Sequence, residues 1–131
     1  MTAKIPIQSP DSIDTSVLRA EPYLYSHQRD VTVTIENPEF TSVCPMTGLP
    51  DTGTVVVSYV PKDRIVELKS LKLYFMEYRG VGIFYEHAVN RILDDLVRLL
   101  EPVRMTVTIG YAPRGGISTK VVALHPEGDR S

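Results

Sequence analysis

The only cysteine of this 131-residue chain is followed seven residues later by a carboxylate. Cys44 and Asp51 both lie in residues 40–53, a stretch with two prolines and two glycines. A thiolate is a nucleophile, and a nearby, partly desolvated carboxyl can protonate the atom on which negative charge develops. The alternative is that Cys44 is a small buried hydrophobe, which is the common state of a free cysteine. The proline and glycine content predicts a loop here, not a helix or a central strand.

The elements that must position this loop follow from hydrophobic periodicity. Alternating, β-branched patterns predict four strands, and apolar residues at helical spacing predict two helices between the strand pairs. The predicted strands are 30–36, 53–60, 104–111 and 118–124, and the predicted helices are 67–79 and 84–101. This β-β-α-α-β-β order predicts an α+β fold, an antiparallel sheet with two helices on one face. Such a sheet has two open edges, which edge-to-edge association of subunits into a barrel would cover.

Finer features of these segments also give predictions. Asn37-Pro38 is expected to end the first strand, since proline interrupts a strand ladder. Arg91 with Asp95, and Asp94 with Arg98, are expected to form ion pairs on the exposed face of the second helix.

Pattern changes along the chain predict one folded domain with two extensions. Residues 1–29 are predicted to be an irregular N-terminal arm, 30–125 the domain, and 126–131 a mobile tail. The apolar patch 23–25 in the arm is expected to dock on the body of the protein or on a neighbour.

Bulk properties exclude several classes of protein. The formal net charge is −2, so there is no global electrostatic signature of nucleic-acid binding. No apolar run is long enough for a membrane span, and the N-terminus lacks the apolar core of a signal peptide. With a single cysteine, this predicts a cytoplasmic protein. The three histidines have no metal-ligand spacing, so no metal site is predicted.

Three further groups of residues could bind ligands. Lys69 and Lys72 lie at i,i+3 near a predicted helix start, where an anion is favoured, although a solvated helix face would look the same. Glu86 could accept the N–H groups of a guanine-type edge or could simply be a first-turn residue. Arg114 precedes a Gly-Gly pair that permits a tight hairpin, and it could clamp a phosphate.

Taken together, these motifs resemble those of one family, the QueF-type NADPH-dependent nitrile reductases. Residues 67–74, Glu-Leu-Lys-Ser-Leu-Lys-Leu-Tyr, agree with the family signature at all eight positions. The resemblance extends to Cys44-Pro45 with Pro50-Asp51, to Glu86-x-x-Val89-Asn90, and to Pro113-Arg114-Gly115-Gly116-Ile117-Ser118. It covers the chain from about residue 30 to residue 118.

The resemblance implies reduction of 7-cyano-7-deazaguanine to 7-aminomethyl-7-deazaguanine, a step in the biosynthesis of the modified tRNA base queuosine. Cys44 would add to the nitrile carbon to form a thioimide, Asp51 would supply protons, and NADPH would deliver two hydrides in turn. Substrate binding would involve Val66, Glu67, Leu68, Tyr85 and Glu86, and binding of the cofactor phosphates would involve Lys69, Lys72 and Arg114.

The resemblance also implies the tunnel fold, in which subunits form pentameric barrels stacked in pairs, with active sites between subunits. A homo-oligomer is therefore expected, a decamer of two pentamers. One position departs from the family pattern, because some members have histidine where this chain has Tyr85. Tyrosine does not relay protons near neutral pH as histidine does, so packing or stacking is its expected role.

Three alternatives remain open at this point. An amidinotransferase of related type would add ammonia to the same nitrile in tRNA, but it would not need the lysine signature, and the acidic chain speaks against tRNA. A cyclohydrolase of the same fold would need metal ligands that the sequence lacks. A non-catalytic subunit that binds a deazapurine or pterin would leave Cys44 as inert packing.

Overall fold

A computed structural model describes residues 6–128 of the chain. Two short 3-10 turns, Pro10–Ser12 and Thr15–Val17, come first. The elements that follow are β1 (Ala20–Pro22), β2 (Val33–Val43), β3 (Pro50–Val60), β4 (Arg64–Val66), α1 (Leu68–Met76), α2 (Tyr85–Leu100), β5 (Arg104–Arg114) and β6 (Ile117–His125). The predicted β-β-α-α-β-β order is present, and two short strands, β1 and β4, are added to it.

The four long strands form one antiparallel sheet in the order β2-β3-β5-β6. Alternate residues of β5, such as Met105, Val107 and Ile109, are buried because the helices cover that face of the sheet. Helix α2 packs against β5 and β6. The predicted α+β arrangement is therefore confirmed. Within residues 6–128, the outer edge of β6 has no strand partner, and the outer edge of β2 is paired only at Val43, in an isolated bridge with Gly82.

Strand β2 does not end at Asn37-Pro38, so that prediction was wrong. The strand continues to Val43, and its register against β3 shifts between Asn37 and Phe40. The side chain of Asn37 accepts a hydrogen bond from the backbone of Glu39 at 2.9 Å within this irregularity. A β-bulge on an edge strand lets Pro38 avoid the ladder position that it cannot fill, so the strand bends and goes on.

The prediction that residues 40–53 are a loop was also wrong for both ends of that segment. Strand β3 begins at Pro50, which pairs with Val43, and only residues 44–49 form the turn. Proline is tolerated as the first residue of a strand, even in a central strand such as β3. Gly53 is required by close packing, because a Cβ there would lie 2.5 Å from the carbonyl oxygen of Gly110. Asp51 therefore lies on a strand of the sheet.

Of the two ion pairs predicted on α2, one forms and the other has a different partner. Asp95 is buried, and it accepts hydrogen bonds from Tyr74 at 2.5 Å and from Arg91 at 2.8 Å. Arg98 contacts this same carboxylate at 3.5 Å rather than the predicted Asp94. Helix α1 brings Tyr74 against Asp95, so this part of the predicted face is a polar contact between the helices, while Asp94 and Arg98 are exposed.

The described part of the arm, residues 6–29, runs along the body of the protein. Strand β1 pairs with β4 in a small antiparallel sheet, which the sequence pattern did not indicate. Gln8 forms backbone hydrogen bonds with Gly80 at 2.8 Å and Gly82 at 2.9 Å. Leu24 and Tyr25, of the patch expected to dock, are exposed. Residues 1–5 of the predicted arm and 129–131 of the predicted tail lie outside the described residues.

Candidate active site

The turn between β2 and β3 holds Cys44 at the end of the sheet. The backbone N–H of Cys44 donates to the carbonyl of Leu49 at 2.9 Å, and its carbonyl accepts from Gly48 at 2.8 Å. Gly48 has φ +72°, a left-handed conformation that favours glycine. The half-buried Cys44 thus occupies a turn closed by its own backbone, directly before the strand that carries Asp51.

A cleft of about 570 Å³ brings together residues from three separate parts of the chain. Five of the predicted site residues line it, namely Cys44, Asp51, Tyr85, Glu86 and Arg114. The β2–β3 turn contributes the thiol, the start of α2 contributes Tyr85 and Glu86, and the β5–β6 hairpin contributes Arg114. The tertiary structure therefore assembles a thiol, two carboxylates and a guanidinium around one space.

Asp51 has the most constrained side chain of this group, with only 4 % of its surface exposed. Its Oδ1 accepts a hydrogen bond from the Tyr85 hydroxyl at 2.9 Å and from Arg114 Nη1 at 2.7 Å. Arg114 Nη1 also donates to the carbonyl of Pro50 at 3.1 Å. Burial makes these bonds stronger than equivalent bonds in water, since the local dielectric is low.

The ring of Tyr85 packs against the ring of Tyr111. The two rings are stacked, with centroids 3.7 Å apart and an angle of 20° between their planes. Burial and the hydrogen bond to Asp51 raise the pKa of Tyr85 above its ordinary value, so the hydroxyl is a neutral donor near pH 7. Tyr111 was not identified from the sequence, because its role depends on the pairing of β5 with β3, where it lies opposite Gly53.

The surroundings of Cys44 shift the pKa of its thiol downward. Hydrogen bonds from the hydroxyl and backbone N–H of Thr47 lower the pKa of the thiol, while the negative charge of Asp51 opposes this. Thr47 was also missed in the sequence reasoning. The signal available was a hydroxyl three residues after the cysteine, within the same turn.

Thr47→Val is expected to raise the pKa of Cys44 because one donor to the sulfur is lost. The thiolate fraction at pH 7 falls, so the pH profile of alkylation by iodoacetamide moves to higher pH. Thr32→Val, an exposed threonine before β2, is the matched control and should leave the profile unchanged. An unshifted profile for Thr47→Val would show that its hydroxyl does not stabilise the thiolate.

The remaining predicted site residues, Val66, Glu67, Leu68, Lys69 and Lys72, do not line this cleft. The backbone N–H of Val66 donates its hydrogen bond to the hydroxyl of Tyr59 at 3.1 Å. Tyr59 is eight residues along β3 from Asp51, which corresponds to roughly 26 Å of strand. Val66, Glu67 and Leu68 therefore lie at the opposite end of the sheet, and one copy of the chain does not bring them to Cys44.

The predicted ligand-binding residues around the start of α1 either cap the helix or are exposed to solvent. Glu67 is the N-cap of the helix, and its carboxylate accepts from the backbone N–H groups of Lys69 at 3.0 Å and Ser70 at 2.6 Å. The bond from Ser70 lowers the pKa of Glu67. Lys69 and Lys72 are exposed, and neither forms a salt bridge within residues 6–128. Lys72 and Leu68 also line a second groove of about 300 Å³.

Two classes of feature are absent from the described part of the chain. Among residues 6–128, no cluster of histidine, cysteine and acidic side chains has the arrangement of a metal site. None of the helices described there is long and apolar enough to cross a membrane.

The antiparallel sheet with both helices on one face has the tunnel fold, as the match to a solved structure of that fold shows. The family model described as "QueF-like protein" matches residues 50–130, and the chain belongs to this family. Two similar proteins are each named "NADPH-dependent 7-cyano-7-deazaguanine reductase". The protein from Caldicellulosiruptor bescii is 57% identical over 115 residues, covering 88% of this chain and 87% of the relative. The protein from Chlorobaculum tepidum is 61% identical over 97 residues, covering 74% and 83%.

A solved structure, the apo form of the archaeosine synthase QueF-Like, has the same fold. It matches with a TM-score of 0.66 and covers 76% of this chain and 96% of its own, at 24% sequence identity. That likeness supports the fold assignment alone. The predicted family and fold class are thus confirmed.

Proposed function

We propose that this protein reduces the nitrile of 7-cyano-7-deazaguanine to the aminomethyl group, with NADPH as the reductant. The observation that carries the proposal is the cleft that holds Cys44, with its lowered pKa, beside the buried Asp51. The reductases named above share more than half of their aligned residues with this chain. The product would serve the biosynthesis of queuosine, and we expect the protein to act in the cytoplasm.

The first chemical step would be addition of the Cys44 thiol across the nitrile. The sulfur forms a bond to the nitrile carbon, one π bond of the C≡N group breaks, and the nitrogen gains a proton. The thiol itself releases one proton, so this step balances without another reactant. Asp51 lies in the same cleft and could take the proton from sulfur and pass it to nitrogen, giving the thioimide.

Four electrons separate the nitrile from the amine, so the complete reaction consumes two NADPH and two protons and regenerates the thiol. NADPH, when bound, supplies a hydride to carbon at each reduction. The residues that fit its phosphates are Lys69 and Lys72, because both ammonium groups are exposed and unpaired within the described chain. The N–H groups at the start of α1 are less available, since Glu67 caps them.

We propose further that each active site is shared between two copies of the chain. The roughly 26 Å of strand between Asp51 and Tyr59 supports this, because Val66, Glu67 and Leu68 would have to come from a neighbour. The edge of β6, and that of β2 before Val43, offer the surfaces for such an assembly. The assembly we expect is the decamer of two pentamers.

Recognition of the substrate would rest on two carboxylates. Glu86 is exposed in the first turn of α2 and lines the Cys44 cleft. Glu67 has its own oxygens engaged in capping, but a carboxylate has about four acceptor positions and can still receive N–H groups from a deazaguanine. Tyr85 would border the substrate while holding Asp51.

An amidinotransferase is the second candidate, since the solved neighbour is named an archaeosine synthase. Its identity to this chain is 24%, compared with 57% and 61% for the two reductases, so the reductase is favoured. The net charge of −2 also provides little attraction for tRNA. A non-catalytic subunit, another alternative, does not explain why a cysteine with a lowered pKa shares a cleft with the buried Asp51.

The test of the proposal is incubation of the purified protein with 7-cyano-7-deazaguanine, first alone and then with NADPH. Without NADPH, we expect the mass of the protein to increase by the mass of 7-cyano-7-deazaguanine, bound covalently to Cys44. When NADPH is added, we expect its absorbance to fall. Absence of both signals would refute the reductase. A mass increase without NADPH consumption would favour the transferase.

Lys69→Ala combined with Lys72→Ala is expected to raise the apparent Michaelis constant for NADPH by about 10- to 100-fold, since two cations contacting phosphate are lost. The rate of thioimide formation measured without NADPH should be unchanged. Lys62→Ala, another exposed lysine, is the matched control. An unchanged Michaelis constant would show that the cofactor binds elsewhere.

A further inference from the structure

We propose that Tyr85 and Arg114 clamp one oxygen of Asp51 so that the other oxygen is the one that transfers protons. This inference rests on the proposed function and adds a residue-level assignment to it. It makes Tyr85 and Arg114 positioning residues of the catalytic acid, in addition to the substrate and cofactor roles that the family resemblance implies for them.

The asymmetry of the carboxylate carries the inference. Both donors, the Tyr85 hydroxyl at 2.9 Å and Arg114 Nη1 at 2.7 Å, bond to Oδ1. No residue in the described part of the chain forms a hydrogen bond with Oδ2. Oδ2 is also not fully buried, since the fully buried polar side-chain atoms that lack a partner there are Ser42 Oγ and Tyr111 Oη. Oδ2 is therefore the oxygen that remains available to the cleft, on the residue that lines it together with Cys44.

Each donor is itself held in place by a second contact. Tyr85 stacks on the buried Tyr111, which limits rotation of its ring. Arg114 Nη1 is shared with the carbonyl of Pro50, the residue before Asp51. Gly115 and Gly116, at φ +58° and +80°, form the tight turn that leaves Arg114 at the end of β5. The clamp thus joins the β3, β5 and α2 ends of the cleft.

This arrangement has a chemical consequence for the first step. Asp51, whose Oδ1 is paired with the guanidinium of Arg114, accepts the proton of the Cys44 thiol on Oδ2. The same oxygen then gives that proton to the nitrile nitrogen as the carbon–sulfur bond forms. The proton is conserved, no redox change occurs, and Oδ1 stays bonded to its two donors throughout.

Thioimide formation needs no NADPH, so its rate measures the effect of the clamp independently of cofactor binding. With saturating nitrile and no NADPH, we expect the rate constant for adduct formation to fall about 100-fold in Arg114→Ala and about 10-fold in Tyr85→Phe. Tyr85→Phe keeps the stacked ring and loses only the hydroxyl. The nitrile concentration for half-maximal rate should stay near the wild-type value in Tyr85→Phe, because binding contacts remain.

Matched controls are Arg98→Ala, an arginine on the outer side of α2, and Tyr25→Phe, in the exposed patch of the arm. Both should form the adduct at the wild-type rate. If wild type forms the adduct and Arg114→Ala and Tyr85→Phe match it, the clamp is overturned while the reductase stands. If only the Michaelis constant for NADPH rises in Arg114→Ala, that arginine binds the cofactor and does not position Asp51. If wild type forms no adduct, the proposed function itself fails.

Discussion

Replacing Cys44 with alanine is expected to abolish both the covalent adduct and the consumption of NADPH. A nitrile is a poor hydride acceptor until a nucleophile converts it to a thioimide, so without the thiol no reducible species forms. We expect the turnover rate to fall by about 10⁴-fold or more, the scale seen when a covalent nucleophile is removed. Intact-mass spectrometry and NADPH absorbance measure the two losses independently.

The fold should tolerate this change because Cys44 is half-buried in a turn that its backbone closes. Circular dichroism and size-exclusion chromatography should therefore match the wild type. Cys44→Ser is a second variant with a similar shape and a much weaker nucleophile, and it should be nearly as inactive. Turnover that persists in both variants would contradict a thioimide mechanism.

Mixing two inactive variants is expected to restore activity if the site is shared between subunits. Cys44→Ala lacks the nucleophile, and Glu67→Gln exchanges an acceptor oxygen for an N–H donor that opposes the substrate. In an assembly formed from equal amounts of both chains, about a quarter of the interfaces pair an intact Cys44 with an intact Glu67. We therefore expect about a quarter of the wild-type rate.

Glu67→Gln suits this experiment because its amide oxygen can still accept one of the two N–H groups that the carboxylate caps, so we expect α1 to remain folded. Two different affinity tags, used in sequence, establish that the assemblies contain both chains. Mixed assemblies with no activity would contradict a shared site. The roughly 26 Å of β3 in one copy would then need another explanation, such as a movement of α1.

The sequence by itself determined the class of fold. One face of each strand and helix must be buried, so the apolar residues recur with period two in β5 and with helical spacing in α2. The same reasoning failed at Pro38 and Pro50, because whether a proline fits depends on the place of its strand in the sheet. A bulge on an edge strand accommodates Pro38, and the first position of a strand accommodates Pro50.

The fate of Asp95 shows the same limit for charges. Spacing at i,i+4 correctly indicates that Arg91 can reach Asp95, but it does not tell whether another helix covers the pair. Helix α1 places Tyr74 on this carboxylate, so the pair is partly buried. Burial depends on packing between segments, so the spacing of residues within one helix does not predict it.

For the site, residue types and the family signature were enough to indicate Cys44, Asp51, Glu86 and Arg114. Only the tertiary structure decided which of these share a cleft and which predicted residues lie at the other end of the sheet. It also decided that Arg114 bonds to Asp51 across 63 residues of chain. The physical reason is that hydrogen bonds depend on distances of about 3 Å between atoms, and folding sets those distances between residues far apart in the chain.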